Sequence, residues 1–416
     1  MSRISASRLL SNLDELATIG SLEHAGVQRL AFSDLDLEGR SWVVNRLKKL
    51  GVETRIDAIG NLFGVWNAEA DGPGLMIGSH TDTVGRAGRY DGSLGVLAAL
   101  EVLETLIESG ERPARPIILA SFVNEEGVRF MPDMMGSLYH VGSLSLSDAR
   151  SAADADGITV GEECDRLAYT GSATIDDLSV DTFLELHIEQ GPLLEREGID
   201  IGVVTGVQGL SWWEVTVKGS SNHAGTTPMN LRDDAGLKAS KLMTALRTLP
   251  NRIPDLRLTI GSVRYHPNLV NVIPDTVTFT VDMRHPSEEK LIHAENYLSD
   301  LLSDTGAQRD DPSRTPGSEA RSDVSFKSLA RVSPCDFASE VVKAVEQAAD
   351  DAGLTRMRMI SGAGHDAQIL HRRYRSGMIF IPSRGGISHN PEEYSEPRHL
   401  VGGANVLLQA VLRLSS

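Results

Sequence analysis

Hydrophobic and polar positions in the N-terminal part of the chain change period several times, which predicts a mixture of helices and strands. Residues 5–18 and 36–50 place apolar side chains at helical spacing and predict two amphipathic helices. Residues 52–65 predict two strands joined by a tight turn. Residues 144–181 are acidic and Ser-rich, and they predict two short helices connected by loops.

The most apolar stretches form a strand, a helix and a second strand. Leu75–Gly78 and Ile117–Phe122 predict buried strands, and Val96–Ile107 predicts the helix between them. This order indicates parallel pairing, because a crossover helix returns the chain to the same end of the sheet. Phe183–Ile188 predicts one further short strand.

The pattern changes near residue 209. The elements predicted there are strand Ser211–Lys218, helix 233–249, strand Leu256–Tyr265, strand Val277–Met283 and helix 286–302. This succession is typical of a small ferredoxin-like α+β domain. Residues 304–323 are polar and rich in Gly and Pro and predict a loop. We therefore predict two domains, with residues 1–207 and 330–416 forming one and residues 208–329 inserted into it.

Composition narrows the functional classes. The chain has 416 residues and a formal net charge of −17, which argues against nucleic acid and anionic membranes as partners. Its two cysteines, Cys164 and Cys335, fit no metal-ligand spacing and indicate a reducing compartment. No stretch is apolar for about 18 residues, and charges interrupt the N-terminal helix, so we expect neither a membrane span nor a signal peptide. A cytoplasmic protein is the expectation.

Side chains with catalytic potential concentrate in the Gly-rich segment that follows the first buried strand, residues 76–95. His80 and Asp82 lie two residues apart, so on an extended segment their side chains point the same way. One of them can then bind a metal while the other orients the imidazole. Asp91 follows in the same segment. A strand, such a loop and then a helix is how α/β enzymes present ligands at the carboxyl end of a sheet.

Glu125 and Glu126 follow the next strand directly. Adjacent carboxylates on an extended segment point in opposite directions, so one can ligate a metal while the other acts as a general base. Five histidines lie beside glycine or carboxylate at predicted strand ends: His80, His187, His223, His365 and His389. Imidazole and carboxylate without thiolate suit Zn, Mn, Co or Ni. Two such ions about 3.5–4 Å apart acidify a water and polarise a carbonyl, which is what hydrolysis of an unactivated amide requires.

Eight motifs occur in order between about residues 76 and 391: GSHTDTV, RYDGSLGVLA, NEEGVRF, LELHIEQGPLLE, NHAGTTPM, NVIPDTVTFTVDMRH, SGAGHDAQ and ISHNP. Together they resemble the hydantoinase/carbamoylase (amidase) branch of the M20 metallopeptidase-like family. That branch comprises N-carbamoyl-L-amino acid hydrolases, β-ureidopropionases and allantoate amidohydrolases. The resemblance implies a two-domain α/β fold, with a large mixed-sheet catalytic domain and an inserted ferredoxin-like domain that acts as lid and dimerisation domain.

The resemblance also implies roles for individual residues. It implies two divalent metal ions per subunit, held by His80, Asp91, Glu126, His187 and His389, with Asp91 bridging. Glu125 would be the general base, and Asp82 would orient His80. Substrate contacts would fall on Gln190, His223, Asn271, Arg284 and the Gly364 backbone.

The residues themselves leave some of these roles open. A planar guanidinium at Arg284 can clamp a substrate carboxylate, but a surface ion pair is an equal alternative. His223 lies in a loop of small residues, where it can polarise a carbonyl or cap its loop. His365 is not a ligand in the family motif, and we interpret it as structural.

The predicted activity is hydrolysis of the carbamoyl (ureido) C–N bond of an N-carbamoyl-L-amino acid to amino acid, CO₂ and ammonia. Allantoate amidohydrolase shares every motif and stays open as an alternative. An M20-type dipeptidase is less favoured, because peptidase branches usually have a carboxylate where His187 stands. A non-catalytic metal-binding protein is disfavoured by Glu125, since a binding module needs no base beside its metals. The expected partners are a small ureido carboxylate and a second copy of the chain, paired through the lid domain.

Overall fold

The computed structural model describes residues 2–303, 308–309 and 323–415. Contacts divide the chain into two compact units, Met1–Gly206 with Asp336–Ser416, and Val207–Cys335. Among the described residues, none of the helices is both long and apolar enough to cross a membrane.

The strands and helices are named in chain order. The strands are β1 (Glu53–Ile56), β2 (Leu62–Trp66), β3 (Gly74–His80), β4 (Ile117–Phe122), β5 (Val180–Ile188), β6 (Ile201–Val207), β7 (Gly209–Lys218), β8 (Arg257–Thr259), β9 (Val263–His266), β10 (Thr276–His285), β11 (Gln308–Arg309), β12 (Val324–Val332), β13 (Cys335–Asp336), β14 (Arg356–Ser361) and β15 (Arg375–Ile381). The α-helices are α1 (Ala6–Thr18), α2 (Asp34–Lys49), α3 (Ser93–Ser109), α4 (Met135–His140), α5 (Leu146–Ser151), α6 (Val160–Leu167), α7 (Leu193–Glu197), α8 (Ala235–Arg247), α9 (Glu288–Ser303), α10 (Ser339–Asp351), α11 (Asp366–Leu370) and α12 (Pro397–Leu414).

The first unit is built on a mixed sheet. Its strand order is β1-β2-β4-β3-β5-β15-β6-β13, and β14 pairs with β6. The neighbours β4, β3, β5 and β15 run parallel, as predicted for β3 and β4, whereas β2 and β6 are antiparallel to them. Every residue of β3 and β4 is buried, which explains their continuous apolar sequences. The carboxyl ends of four parallel strands therefore meet at one edge of the sheet.

Helix α3 returns the chain from β3 to β4 and packs on both strands. It is apolar over most of its circumference, as a helix buried in a large unit should be. It ends at Gly110, which adopts the left-handed conformation usual for a residue that terminates a helix. The two short helices predicted within residues 144–181 are α5 and α6, so that prediction is confirmed.

Helix α4 was not predicted, and it buries a histidine at its end. The His140 ring packs against Phe63 and Phe122, with ring centroids 5.2 and 5.7 Å away. Its Nε2 atom lies 3.0 Å from the Tyr374 hydroxyl. Burial, together with the positive charge of Arg373, lowers the pKa of His140 to about 4. His140 is therefore neutral in the folded protein at neutral pH.

The second unit contains one sheet with the order β11-β12-β7-β10-β8, in which β9 also pairs with β10. Buried and partly exposed residues alternate along β7 and β10, and helices α8 and α9 pack against these two strands. With β8 and β9 counted as one interrupted strand along β10, and the two-residue β11 left aside, the succession β7-α8-β8/β9-β10-α9-β12 is βαββαβ, the ferredoxin-like motif.

Two predictions in this unit were wrong in detail. Leu256–Tyr265 forms two strands rather than one, because β8 pairs with one end of β10 and β9 with the other. Strand β12 was not predicted, and the predicted boundary at 329/330 falls inside it. The unit extends to Cys335 because β12 pairs with β7 over its whole length. The loop predicted for residues 304–323 lies outside the described residues, apart from β11 and Asp323.

Candidate metal centre

A cluster of imidazoles and carboxylates forms where the parallel strands of the first unit end. His80 is the last residue of β3, and His187 is the penultimate residue of β5. Glu125 and Glu126 follow β4, and His389 lies in the segment after β15. These five side chains reach the cluster because parallel strands deliver their carboxyl ends to the same edge of the sheet.

Asp91 lies at the centre of the cluster. Its Oδ1 atom is 3.7 Å from His80 Nε2 and 3.2 Å from His187 Nε2, and its Oδ2 atom is 3.3 Å from His389 Nε2. His389 Nε2 also lies 3.5 Å from Glu126 Oε2. The structure thus brings all five predicted ligands together in two groups that share Asp91. Within each group, His80–Asp91–His187 and Asp91–Glu126–His389, the ligand-type atoms lie within 4.8 Å of one another.

The two buried histidines have the orientation that metal binding needs. His80 Nδ1 lies 3.0 Å from the Asp82 carbonyl oxygen, and His187 Nδ1 lies 2.9 Å from the Ile188 carbonyl oxygen. A carbonyl oxygen only accepts, so each Nδ1 carries a proton and donates it. Each ring therefore presents Nε2 toward Asp91, as metal-binding histidines present it to a metal. Burial opposes the charge of His187, but the hydrogen bond to Asp91 and the charges of Asp91 and Glu185 outweigh it and raise the pKa of His187 to about 9, so a metal ion takes the place of the Nε2 proton.

Gly92 allows His80 to reach this position. Its φ is +59°, in the left-handed region, and it immediately precedes helix α3. A Cβ atom at this position would lie 2.4 Å from His80 Cε1 and Nε2. Any other residue would therefore be strained in its backbone and would collide with the imidazole.

Asp82 differs in detail from the prediction. It orients His80 through its backbone carbonyl, because its carboxylate Oδ1 is 3.8 Å from His80 Nδ1 and beyond hydrogen-bond distance. The carboxylate instead accepts from the backbone N–H groups of Glu125 and Glu126, each at 3.3 Å. Asp82 therefore connects the segment after β3 to the segment after β4.

Glu125 lies beside the cluster and belongs to neither three-residue group. Its side chain is 9% exposed, and its Oε2 atom is 3.4 Å from His80 Nε2. Burial, reinforced by the charges of Asp366, Glu126, Asp91 and Asp82, raises the pKa of Glu125 well above its ordinary value.

The electrostatics of the cluster fit divalent cations. Burial and neighbouring carboxylates also raise the pKa of Glu126, whose Oε1 atom is buried without a hydrogen-bond partner. Burial opposes the charge of Asp91, but hydrogen bonds from His187 and His389 outweigh it and hold the pKa of Asp91 well below its ordinary value. The ion-pair partners of these carboxylates in the described part of the chain are histidines. Excess buried negative charge with nitrogen and oxygen donors suits Zn²⁺ or Mn²⁺.

Two of the predicted substrate contacts lie in the first unit. Gln190 donates from Nε2 to Asp91 Oδ2 at 2.8 Å, so in this structure its amide holds a ligand-type carboxylate. Gly364 lies in the turn before α11, where a Cβ atom would be 2.4 Å from Met134 Cε.

The other three predicted substrate contacts lie in the second unit. His223 is exposed, and its Nδ1 accepts from the backbone N–H groups of Gly225 and Thr226, so its proton is on Nε2. Asn271 is adjacent in space, because its carbonyl accepts from Ala224 N and the residue after it bridges to His223. The Arg284 guanidinium is partly exposed and pairs with Asp282 at 3.0 Å.

Sequence reasoning missed several residues of the first unit that touch the cluster. Glu185 is buried and, with His187 and His365, forms a third group of ligand-type atoms within 4.8 Å. Both Glu185 oxygens already accept hydrogen bonds, from Ser79 Oγ at 2.6 Å and from Ala367 N at 3.1 Å. Its spacing of two residues from His187 on one strand is the signal that could have identified it.

Glu393 was also missed, although it lies four residues after His389. Burial, with the charge of Asp91, raises the pKa of Glu393 to about 7. The stretch NPEEYSEP contains several acids, so that nothing in the sequence distinguishes Glu393 from its neighbours.

Comparisons with known proteins agree with this architecture. The N-carbamoyl-L-amino-acid amidohydrolase of Rhizobium meliloti is 34% identical over 99% of this chain and 96% of its own length. The allantoate amidohydrolase of Bacillus subtilis is 35% identical over 97% of this chain and 96% of its own length. A crystal structure of an amidase of the hydantoinase/carbamoylase family from Burkholderia multivorans is 37% identical and covers 99% of this chain and 98% of its own, with a TM-score of 0.90.

These relatives define the chain as a hydrolase of the class that acts on linear amide C–N bonds. Its residues 76–413 match the profile of peptidase family M20/M25/M40, and the chain belongs to that family.

Proposed function

We propose that this protein is a metal-dependent amidohydrolase that cleaves the carbamoyl C–N bond of N-carbamoyl-L-amino acids and releases amino acid, CO₂ and ammonia. The observation that carries the proposal is the pair of ligand-type groups sharing Asp91, with the buried Glu125 beside them. The family and the relatives in the amidohydrolase branch support it.

We assign one divalent ion to His80, Asp91 and His187 and the other to Asp91, Glu126 and His389, with Asp91 bridging. Zn²⁺ is one candidate, and Mn²⁺, Co²⁺ or Ni²⁺ are the others. When bound, such a pair supplies an acidified water and a polarised substrate carbonyl.

Glu125 is the proposed general base. It takes a proton from the attacking water and passes it to the leaving nitrogen. Its position supports this role, since its carboxylate is 3.4 Å from His80 Nε2 without belonging to either ligand group. The contacts of the Glu125 and Glu126 backbone N–H groups with Asp82 keep the peptide between base and ligand in place.

The substrate carboxylate is proposed to bind the planar guanidinium of Arg284, which Asp282 orients through three hydrogen bonds of 3.0–3.1 Å. His223 donates from Nε2 to the ureido oxygen, and Asn271 provides a neighbouring amide. These three residues belong to the second unit, whereas all proposed ligands belong to the first. We therefore propose that the second unit acts as a lid that closes over the metals.

The exposed edge of the second unit supports a homodimer. Within the described residues, β9 pairs only with β10, and all four of its residues are exposed, including the apolar Val263 and Tyr265. Leu269 and Val270 are also exposed, in the segment that follows β9. An unpaired apolar edge strand must be covered, and a second copy of the same strand is the simplest cover. In that dimer His223 serves the active site of the partner.

The test is a comparison of substrates on purified, metal-loaded protein. We expect kcat/KM for at least one N-carbamoyl-L-amino acid to exceed that for allantoate, with equal amounts of amino acid and ammonia released. Allantoate hydrolysis is the second candidate, favoured by the identity with the Bacillus subtilis relative. A higher kcat/KM for allantoate would select it and would refute the first proposal.

A further inference from the structure

A carboxylate outside the proposed ligand set connects two of its members. Glu393 Oε1 accepts hydrogen bonds from the backbone N–H groups of Tyr90 and Asp91, at 2.9 and 3.2 Å. Its Oε2 atom lies 3.0 Å from Ser388 Oγ, which in turn lies 3.1 Å from Asp91 Oδ2. One side chain therefore contacts both the segment that carries Asp91 and the residue immediately before His389.

A second buried acid beside Asp91 is unfavourable unless its oxygens form hydrogen bonds. Glu393 is 5% exposed, and an apolar residue could fill the same space without repelling Asp91. Only a planar group with two polar ends can accept two N–H bonds on one side and contact a hydroxyl on the other. The contacts of Glu393 therefore explain why a planar polar side chain occupies this buried position.

The loop before Asp91 is shaped to admit this side chain. A Cβ atom at Gly88 would lie 2.3 Å from both Cβ and Oε1 of Glu393. Gly85, in the same loop, has no atom within 4 Å of its corresponding Cβ position. Neither glycine adopts a positive φ, so alanine at either position tests space alone.

The segment that carries His389 needs such support. His389 has a φ of +54°, a conformation that non-glycine residues hold only when their surroundings enforce it. Its side chain is 51% exposed, so burial does not hold it. The Ser388–Glu393 contact and the hydrogen bond from Glu393 N to the Asn390 carbonyl, 3.0 Å long, close the turn around it.

We propose that Glu393 is a positioning residue of the metal pair, which holds Asp91 and the His389 segment in register. Losing these contacts then weakens the binding of the ion assigned to Asp91, Glu126 and His389 more than that of the ion assigned to His80, Asp91 and His187. The inference rests on the metal centre proposed above. Partners that orient metal ligands typically contribute about 10–100-fold to metal affinity.

The test is a Zn²⁺ titration of the whole metal-free protein against a chromophoric chelator, with thermal unfolding of each metal-free variant as the control for folding. Glu393→Ala is expected to bind one of two ions about 10–100-fold more weakly. Glu393→Gln keeps an acceptor for the two N–H groups and can donate to Ser388 Oγ, so it should stay within about threefold of the parent. Gly88→Ala is expected to resemble Glu393→Ala, and the matched control Gly85→Ala to resemble the parent.

A double variant shows whether the effect acts through His389. If Glu393 positions that ligand, the double variant Glu393→Ala/His389→Ala should lose much less Zn²⁺ affinity than the sum of the losses in the two single variants. Unchanged affinity for both ions in Glu393→Ala overturns the proposal, as does unchanged affinity in Gly88→Ala if Glu393→Ala fails to fold. A parent protein that binds no Zn²⁺ would instead refute the metal centre itself, so the two failures are distinguishable.

Discussion

Replacing Glu125 by glutamine separates catalysis from metal binding. The two side chains have the same shape, so the amide fits the site that the 9%-exposed carboxylate occupies. Burial and the charges of Asp366, Glu126, Asp91 and Asp82 disfavour the ionised form of Glu125 and raise its pKa. Glutamine removes this disfavoured ionisable group and leaves the four neighbours in place. The metal-free variant should therefore unfold at a temperature equal to or above that of the parent.

The expected loss is in rate. A missing general base typically costs about 10²–10⁴-fold, which is about 3–5 kcal/mol in activation free energy at about 1.4 kcal/mol for each factor of ten. The assay is kcat for ammonia release at saturating N-carbamoyl substrate, with bound metal measured on the same sample. Glu126→Gln is the matched control, because Glu126 Oε2 belongs to a ligand group and Glu125 does not. That control should lose metal and activity together.

Two results would refute this reasoning. If metal content in Glu125→Gln falls in step with activity, Glu125 is a ligand and the base must be sought elsewhere. A kcat within a few-fold of the parent, with both ions bound, would equally exclude Glu125 as the base.

Three further predictions follow from other parts of the molecule. Arg284→Lys should raise KM for carboxylate substrates, because an ammonium cannot replace the planar fork; unchanged kinetics on every N-carbamoyl amino acid would exclude the clamp. The unfolded pKa of His140 is about 6.5 and the folded value about 4, so its stabilising effect, complete above pH 6.5, is lost as pH falls to about 4. In urea unfolding, the free energy of unfolding of His140→Gln should fall by about 3 kcal/mol less than that of the parent over this pH range. An equal dependence on pH in the two proteins would contradict the burial argument. Mixing inactive His223→Ala with inactive Glu125→Gln should restore some activity through heterodimers; no recovery despite proven subunit exchange would argue against a shared site.

The parallel core was predictable because its signal is local and strong. Leu75–Gly78 and Ile117–Phe122 are apolar runs with turn residues on both sides, and β3 and β4 formed there. Ligand-type residues that directly follow such strands, His80 and Glu126 among them, were predictable for the same reason.

Elements that depend on distant partners were not predictable. Strand β12 reads as VSFKSLARV, without clean alternation, and pairs with β7 more than a hundred residues away in sequence. Glu393 was missed for a related reason, because its contacts with Tyr90 and Asp91 span about three hundred residues. Asp82 was predicted to face His80 through its carboxylate, but two backbone N–H groups from another strand end draw that carboxylate away.

Metal removal and restoration test the central claim most directly. The protein should be stripped with a chelator and titrated with Zn²⁺, Mn²⁺, Co²⁺ or Ni²⁺ while ammonia release from an N-carbamoyl-L-amino acid is measured. We predict no activity in the stripped protein and a return of at least part of it, complete at two ions per subunit. Full activity in protein shown to be metal-free would contradict the account.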